Sequence, residues 1–414
     1  MHLNSEPENA STIHPVALTV LFLPFGMASG YVTVTLAYLL SHTGVSIERI
    51  AGLAALQLLP QTWKALWAPL IDTTLPARQW YFISTVFTGL TILALALVPE
   101  PRSHFWLLQL LVLLSSIAST FSGMATEFLM AHSTTEHEKG RAGGWSQAGN
   151  LGGSGLGGGL ALWMSQHSTS WSGGALLALI CVLCTLALVP FRNVRHPRGP
   201  EGAPVAAVTG VIRDVWAIAR TRTGLLTLLL LLLPLSTGAA SGLWSAVADS
   251  WHASADMVAL VNGVLGGIIA MVGCLIAGYL CDVMDRKLAY ALFGGVQAIC
   301  AVAMALAART PASFVLFTCA YTFLSGCIWA AFSAVALETI GKRSAATNYN
   351  LLACVANIPI TYMTIVDGSA AARWGPSGML FTEAALCVLA LGAFALAAMA
   401  ARARPMALAS ATGE

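Results

Sequence analysis

The residues that could do chemistry are sparse, and one stands where the chain can least accommodate it. Lys64 lies about six residues inside an apolar segment, within Gln61-Thr62-Trp63-Lys64-Ala65-Leu66-Trp67-Ala68-Pro69-Leu70-Ile71-Asp72. An ammonium at the centre of a bilayer costs about 2.5–3.5 kcal/mol. A carboxylate partner held in one conformation and released in another would relieve that cost, as would an anionic substrate. So would a snorkelling stem that carries the charge to the interface. Glu127 is the deepest acid of the first half. Intramembrane carboxyl groups are functional candidates by default, so Glu127 reads as a proton carrier or as the structural partner of Lys64 or Arg141. Asp367 reads as a gate or substrate contact, or as an acid exposed at a helix end. Glu383 reads as structural, His132 as interfacial, and Glu338 as a helix-end acid paired with Lys342 or Arg343.

The elements that carry these residues follow from composition. Hydrophobic residues make up 57% and charged residues 9%, against about 25% charged in globular chains, and mean hydropathy is +0.76. Such a chain cannot bury its apolar surface in a water-soluble fold, so the expected class is an all-α membrane protein. With about 20 apolar residues per crossing, twelve transmembrane helices are expected at 14–40, 49–70, 79–98, 105–131, 142–166, 173–191, 223–248, 256–280, 287–308, 312–339, 345–371 and 376–401. The polar, basic stretch 192–222 divides them six and six. The expected organisation is a tail at 1–13, a six-helix half at 14–191, a central loop at 192–222 with a short amphipathic helix over Thr209–Ala219, a second six-helix half at 223–401 and a tail at 402–414. Glu6 and Glu8, with no Lys or Arg before His14, argue against a cleaved secretory signal. Of the 20 Lys and Arg, 15 fall on the side that bears both termini and four on the other, with Lys64 inside a span. The positive-inside rule then puts both termini in the cytoplasm. Trp80, Trp106, Trp171, Trp251 and Trp374 fall near span ends, as an interfacial aromatic belt would.

The amides form a second set. Gln57, Gln61, Gln147, Asn150, Asn262, Gln297, Asn348, Asn350 and Asn357 lie in spans 2, 5, 8, 9 and 11. An unpaired amide in hydrocarbon is costly, so each should face protein or a wet cavity, as interhelical glue or as a substrate contact. Tyr31, Trp145, Trp244, Tyr321, Trp329 and Tyr349 are the aromatics expected beside them. No arginine lies at mid-span, so a phosphorylated solute is not expected; a bulky, mostly uncharged amphipathic one is. The run from Gly149 to Gly159 is not a nucleotide loop, because no Lys-Ser/Thr follows it and no strand precedes it. Gly149, Gly153 and Gly157 recur every four residues and give a smooth face, expected to meet Gly263 and Gly267 of span 8. All nine cysteines lie in or beside apolar segments, and the Cys181–Cys184 pair lacks a second pair or a nearby His, so no metal site or cofactor is expected.

An internal repeat links the halves. Leu70-Ile71-Asp72 closes span 2 and Gly278-Tyr279-Leu280-Cys281-Asp282-Val283-Met284-Asp285-Arg286-Lys287 closes span 8; Lys139-Gly140-Arg141 opens span 5 and Lys342-Arg343-Ser344 opens span 11. Two parallel six-helix repeats with a site between them near the midplane are a transporter plan. These blocks resemble the major facilitator superfamily. The Gly278–Lys287 segment looks like its loop motif G-x-L-x-D-x-x-G-R, with Asp285 in place of the second glycine; the first-half loop after Asp72 lacks both glycines. The closer resemblance is to the AmpG-like permease branch. Lys64–Asp72 is similar to K-F-L-W-A-P-L-x-D, Glu138–Ala142 to E-R-G-R-A, and Ala346–Ala353 with Asn357 to A-T-x-Y-x-L-L-x-S-x-A-N. Glu127 stands where that branch often has Asp. Within the branch, compactness and the run Ala346–Gly368 resemble the RhtX/FptX-type siderophore importers more than the muropeptide permeases.

The resemblance implies Asp72, Arg141, Asp282, Asp285 and Arg286 as a conformational gate. The expected substrate and proton pathway is Lys64, Glu127, Gln147, Asn150, Asn262, Tyr349, Asn350, Asn357 and Asp367. The implied function is secondary import of a siderophore-type chelate across the bacterial inner membrane by a monomer, through alternating access coupled to protons. The alternative is import of a muropeptide or another amphipathic metabolite. An intramembrane enzyme would need converging His/Asp or Ser/His groups, whereas the nine histidines are scattered. The chain lacks a sizeable soluble domain, which counts against a receptor or scaffold. No nucleic acid partner is expected.

Overall fold

We describe a computed structural model of the chain, covering residues 16–133, 139–193, 213, 216, 218–340 and 345–403. Among these residues all regular structure is helical. Twelve passes follow one another: α1 (Val16–His42), α2 (47–73), α3 (Ala77–Leu97), α4 (Phe105–Ser133), α5 (139–167) and α6 (172–193), then α7 (222–251), α8 (255–283), α9 (Arg286–Leu306), α10 (Pro311–Ile340), α11 (345–374) and α12 (376–403). Eight helical runs are long and apolar enough to cross a membrane, α11 and α12 counting as one. The three passes that fall short are α2 and α7, which are broken, and α5, which is rich in glycine. Of the expected helix at Thr209–Ala219, only residues 213, 216, 218 and 219 are described, as helical; the rest lies outside the described residues.

The tightest packing is backbone against backbone. A Cβ added at Gly149, Gly153 or Gly157 of α5 would lie 2.2 Å from the carbonyl oxygen of Thr19, Leu23 or Met27 of α1. Gly26 and Gly30 of α1 answer with 2.0 and 2.1 Å to the carbonyls of Asn150 and Ser154. The glycine stripe therefore serves α1, inside the first half, and not α8 as its period suggested. Different glycines of α5 meet α8: a Cβ on Gly263 would lie 2.5 Å from the Gly159 backbone, and one on Gly155 would lie 3.5 Å from the Gly263 carbonyl. Gly267 does approach α5, at the Leu151 carbonyl. In the second half, Gly273 and Gly326 press α8 and α10 together in the same way. Small residues drive such contacts because lipid offers no hydrophobic gain between helices.

Interruptions follow local chemistry. Within α1 and α5, π turns at Tyr31–Leu36 and Leu156–Leu160 widen the helix. Such turns leave carbonyls without an i+4 partner, and the Thr35 hydroxyl donates to those of Gly157 (2.7 Å) and Gly158 (3.0 Å). In α2, Pro60 lacks an N–H, the turn Leu59–Thr62 tightens to a 3-10 form, and Trp63 leaves the helical region at φ −128°, ψ 13°. The segment 233–238 separates the two arms of α7. It contains Pro234 and carries Ser236 and Gly238 at φ +61°, after which short 3-10 turns at Ala239–Leu243 and Ala248–Trp251 flank Trp244–Val247. Between α11 and α12 the chain turns only at Gly375, at φ +72°.

The two ends of the molecule differ. At the end opposite the termini, one apolar core takes residues from both halves: Val34, Tyr38, Ala51 and Leu162 with Trp244, Val247, Trp251 and Phe314. Trp251 is fully buried there, with the Arg309 guanidinium 5.7 Å from its ring centre, so it does not join the interfacial belt; Trp106, Trp171 and Trp374 are exposed. His42 meets Asp249 at 3.3 Å and His167 meets Asp256 at 3.9 Å across the same seam. These pairs are solvent-facing and each contributes at most about 1 kcal/mol, so the apolar core carries the seal. At the basic end the small cluster joining the halves is Ala65 with Leu351 and Cys354, flanked by Ile218.

Replacing Gly153 by Leu should lower the thermal midpoint of the purified protein, because overpacking alone costs about 1–3 kcal/mol and the α1 backbone has no room to yield. Gly152→Ala, whose Cβ would meet nothing nearer than 3.8 Å, should leave the midpoint unchanged. Thermal unfolding read by size-exclusion chromatography in detergent checks both.

Candidate functional site

The break at Trp63 starts a new helical arm at Lys64, which runs to Thr73. The first N–H groups of a helix have no partners within it and form the positive end of its dipole. No side chain caps this arm, so the Lys64 ammonium adds to an already positive end. The neighbouring pass α4 supplies the anion: Lys64 Nζ donates to Glu127 Oε1 at 3.2 Å. The two side chains are 18% and 31% exposed, so the pair is half-screened and can open at moderate cost.

An aromatic wall stands beside the pair. Trp63 stacks on Trp67 at 6.1 Å, Trp67 leans on Phe121 at 5.3 Å, and Trp80 stacks on Phe121 at 4.9 Å. This wall fixes α2, α3 and α4 together where α2 is broken. On its other side the same arm places Ala65 against Leu351 and Cys354 of α11. Lys64 and Glu127 thus lie where the two halves meet, near Cys354, which is one helical turn from Asn350 on α11.

The other expected pathway residues divide into groups. On α5 the Asn150 amide donates to the Gln147 side chain at 3.3 Å, and Gln147 is exposed. Asn262 of α8 donates to Ser245 of α7 at 3.2 Å, within the second half. Asn350 is half-buried and Asn357 is buried on α11. Gln57 is fully buried in α2, and its amide has no hydrogen-bond partner among the described residues. The aromatics do not line one shared cavity. Tyr31 is buried in the core of the first half and Tyr321 in the core that both halves share, where Trp244 packs edge-on against it at 5.3 Å; Trp145 and Trp329 are exposed. The side chain of Tyr349 lies outside the described residues.

Of the gate residues, the side chains of Asp72, Arg141 and Asp282 also lie outside the described residues. Asp285 is the N-cap of α9, accepting from the Leu288 N–H at 2.8 Å, and Arg286 is half-buried beside it. Glu338 pairs with Lys287 at 3.0 Å; its expected partners Lys342 and Arg343 lie outside the described residues.

Two buried acids lie in the second half. Asp367 is not an exposed helix-end acid: it is fully buried, and neither carboxyl oxygen has a hydrogen-bond partner among the described residues. Glu383, read as structural, is 6% exposed, accepts from the Tyr321 hydroxyl at 2.5 Å, and lies within electrostatic reach of Asp367. Glu383, Tyr321 and Gln297 were not grouped by sequence reasoning, because they sit on three different passes. The available signal was Pro234 and Gly238 interrupting an apolar run.

The whole chain has known counterparts. The family model of the Major Facilitator Superfamily matches residues 17–364. The nucleoside transporter NupG superposes with a TM-score of 0.67 at 16% identity, covering 94% of this chain and 99% of its own. A POT family transporter in complex with 5-aminolevulinic acid superposes at 0.74 with 11% identity, covering 93% and 96%. A bacterial homolog of the human lysosomal transporter Spinster, inward-facing and unoccupied, superposes at 0.67 with 13% identity, covering 95% and 98%. At these identities the likeness establishes the fold, and the family model, matching most of the length, establishes the lineage: the chain is a multi-pass membrane transporter and belongs to the Major Facilitator Superfamily.

Proposed function

We propose that this protein imports a bulky, largely uncharged amphipathic chelate of the siderophore class across the bacterial inner membrane, as a proton-coupled monomer with both termini in the cytoplasm. The observation that carries the reading is the charge economy of the seam between the halves. Its one mid-span cation, Lys64, is met by Glu127 at 3.2 Å, and no arginine lies at mid-span. A phosphorylated or strongly anionic solute would find no excess positive charge to bind. The half-buried Asn350 and the Trp63–Trp67 wall beside Lys64 suit a solute that offers carbonyls, hydroxyls and rings. The blocks Lys64–Asp72 and Ala346–Ala353 support the same branch, and 15 of 20 cations at one end support the orientation.

Alternating access follows from the unequal ends. The end opposite the termini is closed by a core that both halves share, while Ala65, Leu351 and Cys354 join them at the basic end. This geometry favours a state closed to the outside. Opening outward requires the shared core to part and the α2–α11 contact to tighten or slide. Lys64, at the start of a helical arm and one residue from that contact, is placed to feel the movement. Its pairing with Glu127 would hold one state, and a solute carbonyl or carboxylate would compete for it in the other.

Uptake of a radiolabelled ferric siderophore and of a labelled anhydro-muropeptide by cells expressing the protein tests the substrate class. Siderophore uptake is expected; transport of the muropeptide alone would overturn the reading. Lys64→Gln and Glu127→Gln should each lower siderophore uptake about tenfold, corresponding to about 1.4 kcal/mol. The exchange Lys64→Glu with Glu127→Lys should recover part of it, since it restores the pair. Equal loss in the singles and the exchange would remove the pair from the mechanism.

A further inference from the structure

Two buried carboxyl groups lie in the second half with no described cation between them. Asp367 of α11 is fully buried with both oxygens unpartnered, and Glu383 of α12 is buried with Oε2 unpartnered. A small cavity of about 10 Å³ adjoins Glu383, Tyr321, Gln297 and Thr237, which leaves room for about one water. The broken part of α7 borders that cavity through Pro234 and Ser236. The Glu383 carboxyl faces the N–H groups of Ala239 and Ala240 and the Thr237 hydroxyl, at the start of the far arm of α7. Discontinuous transmembrane helices aim their free N–H groups at anionic groups, and here the group they meet is a carboxylate able to take up a proton.

We infer that Asp367 and Glu383, with Tyr321, form the binding site of the coupling proton, and that its occupancy is passed to the far-end seal through the broken helix α7. The inference deepens the proton-coupled transport proposed above and rests on it only for the word coupling; proton binding stands or falls separately. Two ionised carboxylates in a site this dry repel each other, and Asp367 has no donor among the described residues to offset its charge. Uptake of one proton converts one carboxylate to a carboxylic acid, removes the repulsion and creates a donor for an unpartnered oxygen. The titratable groups facing Glu383 are Tyr321 of α10, Asp367 of α11, Cys300 of α9 and Cys387 of its own helix. No lysine, arginine or histidine is among them. When the proton leaves, the carboxylate draws on the N–H groups of Ala239 and Ala240, the first residues of the arm that carries Trp244, Asp249 and Trp251 into the seal. The helix beside Asp367 reaches the seal from the other side. The adjacent Gly368 packs on Ala51 of α2, where a Cβ would lie 2.1 Å from the alanine methyl.

The test needs no transported solute. The full chain in lipid nanodiscs is titrated with protons, and infrared difference spectra record the carbonyl band of protonated carboxyl groups. A titrating band is expected in the wild type, absent in Glu383→Gln, altered in Asp367→Asn and retained in Glu127→Gln. Hydrogen exchange of the peptide covering residues 233–251, corrected for the intrinsic pH dependence of exchange, should change at least about threefold across the same titration and become pH-independent in Glu383→Gln. Should Glu383→Gln not yield monodisperse protein, Tyr321→Phe takes its place and should move the midpoint of the band. A band unchanged in these variants, exchange in α7 that ignores pH, or a band displaced by sodium at fixed pH would overturn the inference. Normal proton titration together with absent siderophore uptake would overturn only the substrate reading.

Discussion

Every feature of this chain answers to one constraint: in hydrocarbon, a backbone or side-chain polar group must find its partner inside the protein. That constraint makes every described regular element a helix. It also gives each departure from helix a specific compensation. The π turns of α1 and α5 free carbonyls, and Thr35 takes two of them up. In α7 the break ends in N–H groups that look onto Glu383. The break in α2 produces a positive helix end beside Lys64, and Glu127 is there to meet it. The breaks in α2 and α7 therefore each lie beside a carboxylate, which meets the positive helix end that the break creates.

The halves share a plan and divide the tasks. The first half is locked internally by glycine contacts between α1 and α5, and the second by those between α8 and α10. Rigid units of this kind move as bodies, so the weak places between them set the motion. At one end the halves share a core built on Trp244 and Trp251, and at the other, among the described residues, a small cluster of Ala65, Leu351 and Cys354 joins α2 to α11. An ion pair in the first half and an acid pair in the second stand near these seams. The asymmetry is chemical as well as geometric: among the described residues, the first half carries a half-buried cation with its counter-ion and the second two buried acids without one.

Much was legible in the sequence. Composition and the spacing of apolar runs gave twelve passes whose ends fall within a few residues of those observed. The Lys64 anomaly also pointed to Glu127, since a charge at that depth requires a counter-charge and Glu127 was the deepest acid of its half. Less legible were faces. Gly149, Gly153 and Gly157 announce a smooth surface, but their period does not say which neighbour they meet; α1 proved to be that neighbour. Glu383 read as structural with no partner named, and Trp251 looked interfacial because it ends a span.

The sequence by itself determined the class, the number of crossings and their orientation bias, because these follow from hydropathy and charge counted along the chain. Tertiary structure decided which polar groups come together. Asp367, Glu383 and Tyr321 stand on three passes, up to 62 residues apart in sequence, and no local signal sets the rotation of one helix about its axis relative to another. That rotation is fixed by close packing of small residues and by the need to pair every buried polar atom, both of which are properties of the assembled bundle.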